Sequence, residues 1–226
     1  MQREIQLTAD GSHTVFIPGI NVTYHSIHGA LQESLHVFIQ AGLNFVLDKS
    51  KSADPVSILE MGLGTGLNAL LTLKKTSKQE KIVFYQGIEL YPLNKGEVAA
   101  INYGSLLKME DLFLVLHTCS WEEDVIIQPR FTLHKTELSL LNFVGDSRKF
   151  DLIYYDAFAP AVQPELWTKT IFEKLYSLLK EEGVLVTYCS KGDVRRNMIA
   201  AGFVVEKLQG PLQKREMLRA IKRVAI

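Results

Sequence analysis

The stretch Ile58-Leu59-Glu60-Met61-Gly62-Leu63-Gly64-Thr65-Gly66-Leu67-Asn68 constrains the fold more than any other part of the chain. It reads as a buried strand that runs into a glycine turn and then into a helix. Glycines at Gly62, Gly64 and Gly66 remove three side chains from one turn, so its backbone can take positive φ angles and approach a ligand closely. Leu67 to Leu73 supply apolar residues at a helical period, which aims free backbone N–H groups at whatever sits over the turn. These are the parts of a small-molecule cofactor site.

The spacing of the glycines separates two kinds of doubly wound fold. A dinucleotide fingerprint is G-x-G-x-x-G, with its third glycine inside the helix. Here the third glycine comes one residue early, and an acid, Glu60, precedes the first by two. This pattern resembles the S-adenosylmethionine site of class I methyltransferases, in which the acid lies near the methionine ammonium. A sulfonium cofactor has no pyrophosphate and needs a carboxylate for its amine. Lys81 to Ile88 reads as a second buried strand with Glu89 at its C-terminal end, the edge of a parallel sheet where ligands bind. A carboxylate there can accept both hydroxyl protons of a ribose.

With 226 residues and 47% hydrophobic content, the chain can build one large α/β domain but not two. Its longest apolar runs, such as Gly183-Val184-Leu185-Val186, fall far short of the ~20 residues needed to span a bilayer. Met1-Gln2-Arg3-Glu4 lacks the start of a secretory signal. Cys119 and Cys189 are isolated and without metal-ligand spacing, so no metal, no membrane and a reducing cytoplasm are expected. The formal net charge is +0, but from Thr187 onward nine Lys/Arg face three acids, a balance of 9 − 3 = +6. Such polarity suits either a face that meets phosphate or an ordinary solvated surface.

Strands and helices alternate along the chain. Thr14 to Ile17 and Val22 to His25 flank Pro18-Gly19 as a small hairpin, and Leu31 to Leu47 carries apolar residues at helical spacing. Strands follow at Ser57–Glu60, Ile82–Ile88, Phe131–His134, Phe150–Tyr155 and Val184–Cys189. A helix is expected at Asn94 to Tyr103 and another from Pro164 onward. The region up to Trp121 has no clear assignment. Phe203–Leu208 and Arg215–Ile221 flank Gly210-Pro211 as an antiparallel pair. The expected architecture is a doubly wound, mostly parallel α/β sheet of class I methyltransferase type, with an antiparallel C-terminal hairpin. Residues 1–50 would form an N-terminal extension of β hairpin and helix, and 51–226 the methyltransferase domain.

The strand Asp151 to Tyr155 delivers Asp156 to the same sheet edge as the glycine turn and Glu89, with Phe158 beside it. Methyl transfer is an in-line displacement that needs a nucleophile with a free lone pair at near-attack distance. A carboxylate can take a proton from an amine and stabilise the charge that grows on nitrogen, while an aromatic face favours a cation. Asp156 and Phe158 are therefore the expected catalytic pair, and amine methylation suits them better than carbon methylation by a cysteine nucleophile.

Several segments in order resemble the methyltransferase domain of the bacterial tRNA wobble-uridine modification enzyme MnmC, in an oxidase-less form. They are Gly29 to Phe38, Glu60 to Asn68, Asp156 to Pro160 with Pro164 to Trp167, Thr187 to Ser190 with Val194-Arg195-Arg196 and Ala201-Gly202-Phe203, and Lys214-Arg215-Glu216-Met217-Leu218. The resemblance implies methyl transfer from S-adenosyl-L-methionine to the amine of 5-aminomethyl-(2-thio)uridine in tRNA. It implies that Glu60, Gly62, Gly64, Thr65, Gly66, Asn68, Glu89 and Asp156 hold the cofactor, with Tyr24 and Glu33 closing the site. It also implies that Arg195, Arg196, Lys214 and Arg215 face tRNA, and that a separate protein supplies the oxidase activity where one is needed. Where the family shows Gly-Asp after the third strand, this chain has Thr136 and Glu137; either one takes the adenine contact or that contact is lost. The alternatives are methyl or aminopropyl transfer to a small amine, and a catalytically silent cofactor- or tRNA-binding module.

Overall fold

The computed structural model describes residues 2–49, 54–79, 81–145 and 148–223. Five consecutive neighbours in its main sheet are parallel, because each strand is followed by a crossover that returns the chain to the same edge. The strands are β4 Val56–Met61, β5 Val83–Glu89, β6 Asp124–Gln128, β7 Phe131–Glu137, β8 Phe150–Tyr155, β9 Leu179–Thr187, β10 Val204–Gln209 and β11 Glu216–Ile221, in the order β10-β11-β9-β8-β4-β5-β7-β6. β7, β5, β4, β8 and β9 run parallel; β6, β11 and β10 pair antiparallel at the two edges. A separate antiparallel sheet joins β1 Glu4–Leu7, β2 His13–Ile17 and β3 Val22–Thr23.

Alternation along the central strands explains why both faces of the sheet are covered. Ile58, Tyr154 and Val186 point into one core cluster with Phe38, Leu43 and Leu70, while Leu59, Ile153 and Leu185 point into the other with Phe172 and Leu175. The first cluster also contains Val15 and Val37, so residues from the N-terminal segment share the core of the main sheet. The boundary read between residues 50 and 51 lies outside the described residues.

The expected parallel strands, the N-terminal hairpin and the C-terminal pair are all present, with ends shifted by a few residues. The helix read at Leu31–Leu47 runs continuously through Ala30–Ser34, the π-helical Leu35–Asn44 and Phe45–Lys49. Gly42 lets it approach the sheet, since a Cβ there would lie 2.9 Å from Val186. The helix read at Asn94–Tyr103 is instead Lys95–Ala100, started by an Asn94/Glu97 capping box, followed after Asn102 by Tyr103–Leu107. The unassigned region contains the Glu110–Thr118 helix, and β6 follows it as a strand the sequence reading did not name. From Pro164 the chain forms a 3-10 turn, Pro164–Trp167, and the α-helix begins at Lys169, capped by Thr168. Cys119 and Cys189 are free thiols. Among the described residues no helix is long and apolar enough to cross a membrane.

Candidate active site

β4 ends where the chain must turn over the sheet edge, and the turn is pinned on both sides. Gly62 and Leu63 donate their N–H groups to the carbonyl of Ile88 on β5, at 3.0 and 3.1 Å, and Asp156 N–H donates to the carbonyl of Met61 at 3.0 Å. Gly62, Gly64 and Gly66 have φ of 87°, 49° and 69°. A Cβ on Gly62 would stand 2.7 Å from the Asp156 carbonyl oxygen, and one on Gly64 would stand 3.1 Å from the Tyr24 ring. The turn therefore needs glycine at Gly62 on two counts, conformation and space. The Leu67–Ser77 helix starts immediately after Gly66.

Over this turn lies a cavity of about 350 Å³, within the range of small-molecule sites. Its wall includes Tyr24, Gly62, Gly64, Thr65, Glu89, Asp156 and Phe158. Glu89 accepts Gly64 N–H at 2.9 Å and Tyr91 N–H at 2.8 Å, which fixes its carboxylate at the end of β5. Phe158 meets Tyr24 edge to face, with centroids 5.3 Å apart.

The structure puts several expected site residues elsewhere. Glu60 is fully buried beneath the turn and off the cavity wall; Tyr85 Oη donates to its Oε2 at 2.7 Å and Asn68 Nδ2 to its Oε1 at 2.8 Å. Asn68 is likewise buried, and the same Nδ2 reaches Asp156 Oδ2 at 3.1 Å. Residue alternation is the reason: Met61, next after Glu60, faces the cavity, so Glu60 points to the opposite side. Thr136 is buried, with its Oγ1 accepting from Gln86 Nε2 at 3.3 Å, and Glu137 is exposed at the end of β7; neither lines the cavity, whereas Ser139 in the following loop does. Glu33 is on a second cavity, not the first.

Two histidines that no sequence motif marked hold the turn, His25 from the cavity side and His117 from off the cavity wall. His25 Nε2 lies 2.7 Å from Thr65 Oγ1, and His117 Nε2 donates to the Thr65 carbonyl at 3.1 Å. Burial pushes both imidazoles down to about 4, so they are neutral at ordinary pH. Only tertiary proximity reveals them, since they come from separate parts of the chain.

Burial, and then the negative charge of Glu33, raise the Asp156 carboxyl to about 8; the Asn68 hydrogen bond and the Lys214 charge pull it the other way. Burial raises Glu60 well above the usual carboxylate range, against the bonds from Tyr85 and Asn68. Tyr24 is pushed up to about 12, first by burial. The site thus contains one carboxyl, Asp156, poised to exchange a proton near neutrality.

Of the four basic residues expected to face tRNA, Lys214 is turned inward onto Glu33, with Nζ 2.6 Å from Oε1 and 4.3 Å above the Tyr188 ring centroid. Arg196 pairs with Asp193. Arg195 is half-buried, while Arg215 is exposed and has no carboxylate partner among the described residues. Much of the C-terminal positive charge is balanced locally, by Lys207–Glu216, Arg219–Glu206, Lys222–Glu181 and Arg223–Glu182 pairs.

A doubly wound sheet with a glycine turn at the end of β4, an acid at the end of β5 and a cavity between them defines a class I methyltransferase domain dependent on S-adenosyl-L-methionine. Residues 123–223 match a family model described as S-adenosyl-L-methionine-dependent methyltransferase. The tRNA 5-methylaminomethyl-2-thiouridine biosynthesis bifunctional protein MnmC of Leptospira borgpetersenii is 31% identical over 210 residues, 86% of this chain and 31% of that protein. The protein of the same name from Cupriavidus metallidurans is 30% identical over 226 residues, 93% of this chain and 32% of that protein. The crystal structure of MNMC2 from Aquifex aeolicus superposes with a TM-score of 0.81 at 26% identity, covering 100% of this chain and 71% of that one. The chain is an MnmC-like methyltransferase domain, and it spans about a third of the length of the curated relatives it matches.

Proposed function

We propose that this domain methylates the exocyclic amine of 5-aminomethyl-(2-thio)uridine at the wobble position of tRNA, giving 5-methylaminomethyl-(2-thio)uridine. The observation that carries the reading is Asp156, a cavity carboxyl raised to about 8 and bordered by Phe158 and Tyr24. The names of the curated relatives support the nucleoside.

The residues present fit S-adenosyl-L-methionine. Gly62 and Gly64, on the cavity wall, would receive its middle, whereas Gly66 is off that wall and backed by His117; Glu89 would take the ribose hydroxyls with the lone pairs not used by Gly64 and Tyr91. Ser139 stands where an adenine contact after β7 is available. Glu60 and Asn68 serve as supports beneath the turn. When bound, the cofactor would supply a methyl carbon on a cationic sulfur, open to attack by a nitrogen lone pair, with the carbon–sulfur bonding electrons leaving on sulfur.

An aliphatic ammonium has no lone pair, so it must lose a proton before it can attack. Asp156 takes that proton on its carboxylate. A carboxyl near 8 is a far better match to an amine than an ordinary carboxylate, because proton transfer is easiest between groups of similar affinity. The methylated nitrogen leaves as a secondary ammonium, and Asp156 returns its proton to solvent. Arg195 and Arg215 are candidates for phosphate contacts; Lys214 and Arg196 are already paired. The reading needs a tRNA whose aminomethyl group is already unmasked, with any oxidase activity this takes supplied by a separate protein, and a cytoplasmic setting.

Incubation with labelled cofactor and tRNA carrying 5-aminomethyluridine tests this directly, with the wobble nucleoside read by mass spectrometry. Methylated product from the native chain and its loss in Asp156→Ala are expected. Measurable cofactor binding without tRNA methylation, together with methylation of a free small amine, would replace this reading by the small-amine alternative.

A further inference from the structure

A second cavity, about 630 Å³, adjoins the first. The two share a partition of Tyr24, His25, Ala157 and Phe158 and otherwise have different walls. The second is framed by the N-terminal sheet and by Glu33, Tyr188 and Lys214, so it is formed by elements that the cofactor cavity does not use. Its aromatic surfaces are Phe16, Tyr24, Phe158 and Tyr188.

Its polar feature is one ion pair. Glu33 Oε2 accepts Ser26 N–H at 2.9 Å and its Oε1 accepts Lys214 Nζ at 2.6 Å, while the Lys214 ammonium lies 4.3 Å above Tyr188. The carboxylate is nearly buried and is tied on both oxygens, so its position is set. Carboxylate and ammonium cancel in charge, which leaves this wall without the excess negative charge a second cation would need. What it presents is an acceptor and a donor side by side. That is the complement of an N–H and a C=O side by side, the edge of a pyrimidinedione ring. Enzymes that act on a base take it out of the stack and read it by hydrogen bonds to this edge and by aromatic contact, both of which the cavity provides.

We propose that the second cavity is the acceptor site and that Glu33 and Lys214 read the N3–H and adjacent carbonyl of a flipped uracil-type base. Glu33 accepts from N3–H with a free lone pair, and Lys214 donates one of its two remaining N–H groups to the carbonyl. This assigns Glu33 to the acceptor instead of the cofactor, and Lys214 to the base instead of the phosphate backbone. A cytosine-type ring presents an acceptor at N3 and an amine beside it, and is refused by the same pair. The inference rests on the tRNA reading above and adds a determinant of substrate choice.

The test uses synthetic anticodon stem-loops carrying 5-aminomethyluridine or its N3-methyl derivative, with the native chain, Glu33→Gln and Lys214→Met. Cofactor affinity is measured on the same preparations, which also reports whether each variant is folded. The native chain should prefer the unmethylated base by about tenfold in kcat/KM, the loss expected for one such contact. Each variant should raise the KM for the stem-loop by a similar factor, shrink the preference to about twofold and leave cofactor affinity within about twofold. Turnover of both stem-loops with equal efficiency by the native chain would overturn the assignment, as would variants that retain the full preference or that lose cofactor affinity with an unchanged KM. Absence of turnover of the unmethylated stem-loop by the native chain would overturn the tRNA reading and this inference together, which separates the two kinds of failure.

Discussion

Asn68→Ala isolates the link between the glycine-turn helix and the proposed base. In the native chain the Asn68 amide spans two carboxyl groups, 2.8 Å from Glu60 Oε1 and 3.1 Å from Asp156 Oδ2. A hydrogen bond to a charged group contributes roughly 1.5–3 kcal/mol, and sharing one nitrogen between two acceptors leaves about 1.4 kcal/mol for Asp156. That corresponds to about one pKa unit. The bond favours the carboxylate, so its removal raises the pKa. The ascending limb of kcat/KM against pH should therefore sit near 8 in the native chain and move up by about one unit in Asn68→Ala. At pH 7 the variant should be about tenfold slower and converge toward native rates above the limb. Cofactor affinity should change little, because Asn68 is buried off the cavity wall. The assay is methyl transfer to tRNA with saturating cofactor across the pH range. A native limb in the usual carboxylate range, or an Asn68→Ala limb that stays put or moves down, would refute the role assigned to Asp156.

Three other expectations follow from the same geometry. His25 and His117 are held near 4 in the folded protein against 6.5 for a free imidazole, so the unfolded chain takes up protons first as pH falls. Stability is full above about 6.5 and is lost toward 4, by roughly 3 kcal/mol per imidazole, and urea unfolding at pH 7.5 and 5 should show a smaller fall in His25→Gln than in the native chain. Gly62→Ala places a methyl group against the Asp156 carbonyl at a positive φ, and a loss of at least ~1–2 kcal/mol of stability with cofactor affinity down tenfold or more is expected by calorimetry. Tyr85→Phe removes the donor to Glu60 Oε2 deep in the core, and thermal unfolding should show a loss of about 1–3 kcal/mol; a neutral result would mean that Glu60 does not depend on that bond.

The amino-acid sequence by itself determined the turn, the strands that flank it and the acid at each strand end. Gly62, Gly64 and Gly66 leave few alternatives to a close-approach turn, and continuous apolar runs such as Leu152–Tyr155 need cover on both faces, which specifies a parallel sheet between helices. Asp156 was legible as a cavity residue because a strand end in such a sheet is also the ligand edge. Tertiary structure decided what the carboxylates do. Glu60 and Asp156 are both acids at strand ends, yet the pleat turns one under the sheet edge, where Asn68 and Tyr85 hold it, and leaves the other on the cavity. Ser139, and neither Thr136 nor Glu137, lines the cavity because β7 continues three residues beyond His134, to Glu137, before the loop returns over the cavity. Lys214 counted as surface charge until the fold set it on Glu33, 181 positions away. Local patterning encodes where the chain turns and which segments are buried; distance between remote side chains, and with it charge, proton affinity and the division into two cavities, exists only once the N-terminal sheet and the C-terminal hairpin have closed over the sheet edge.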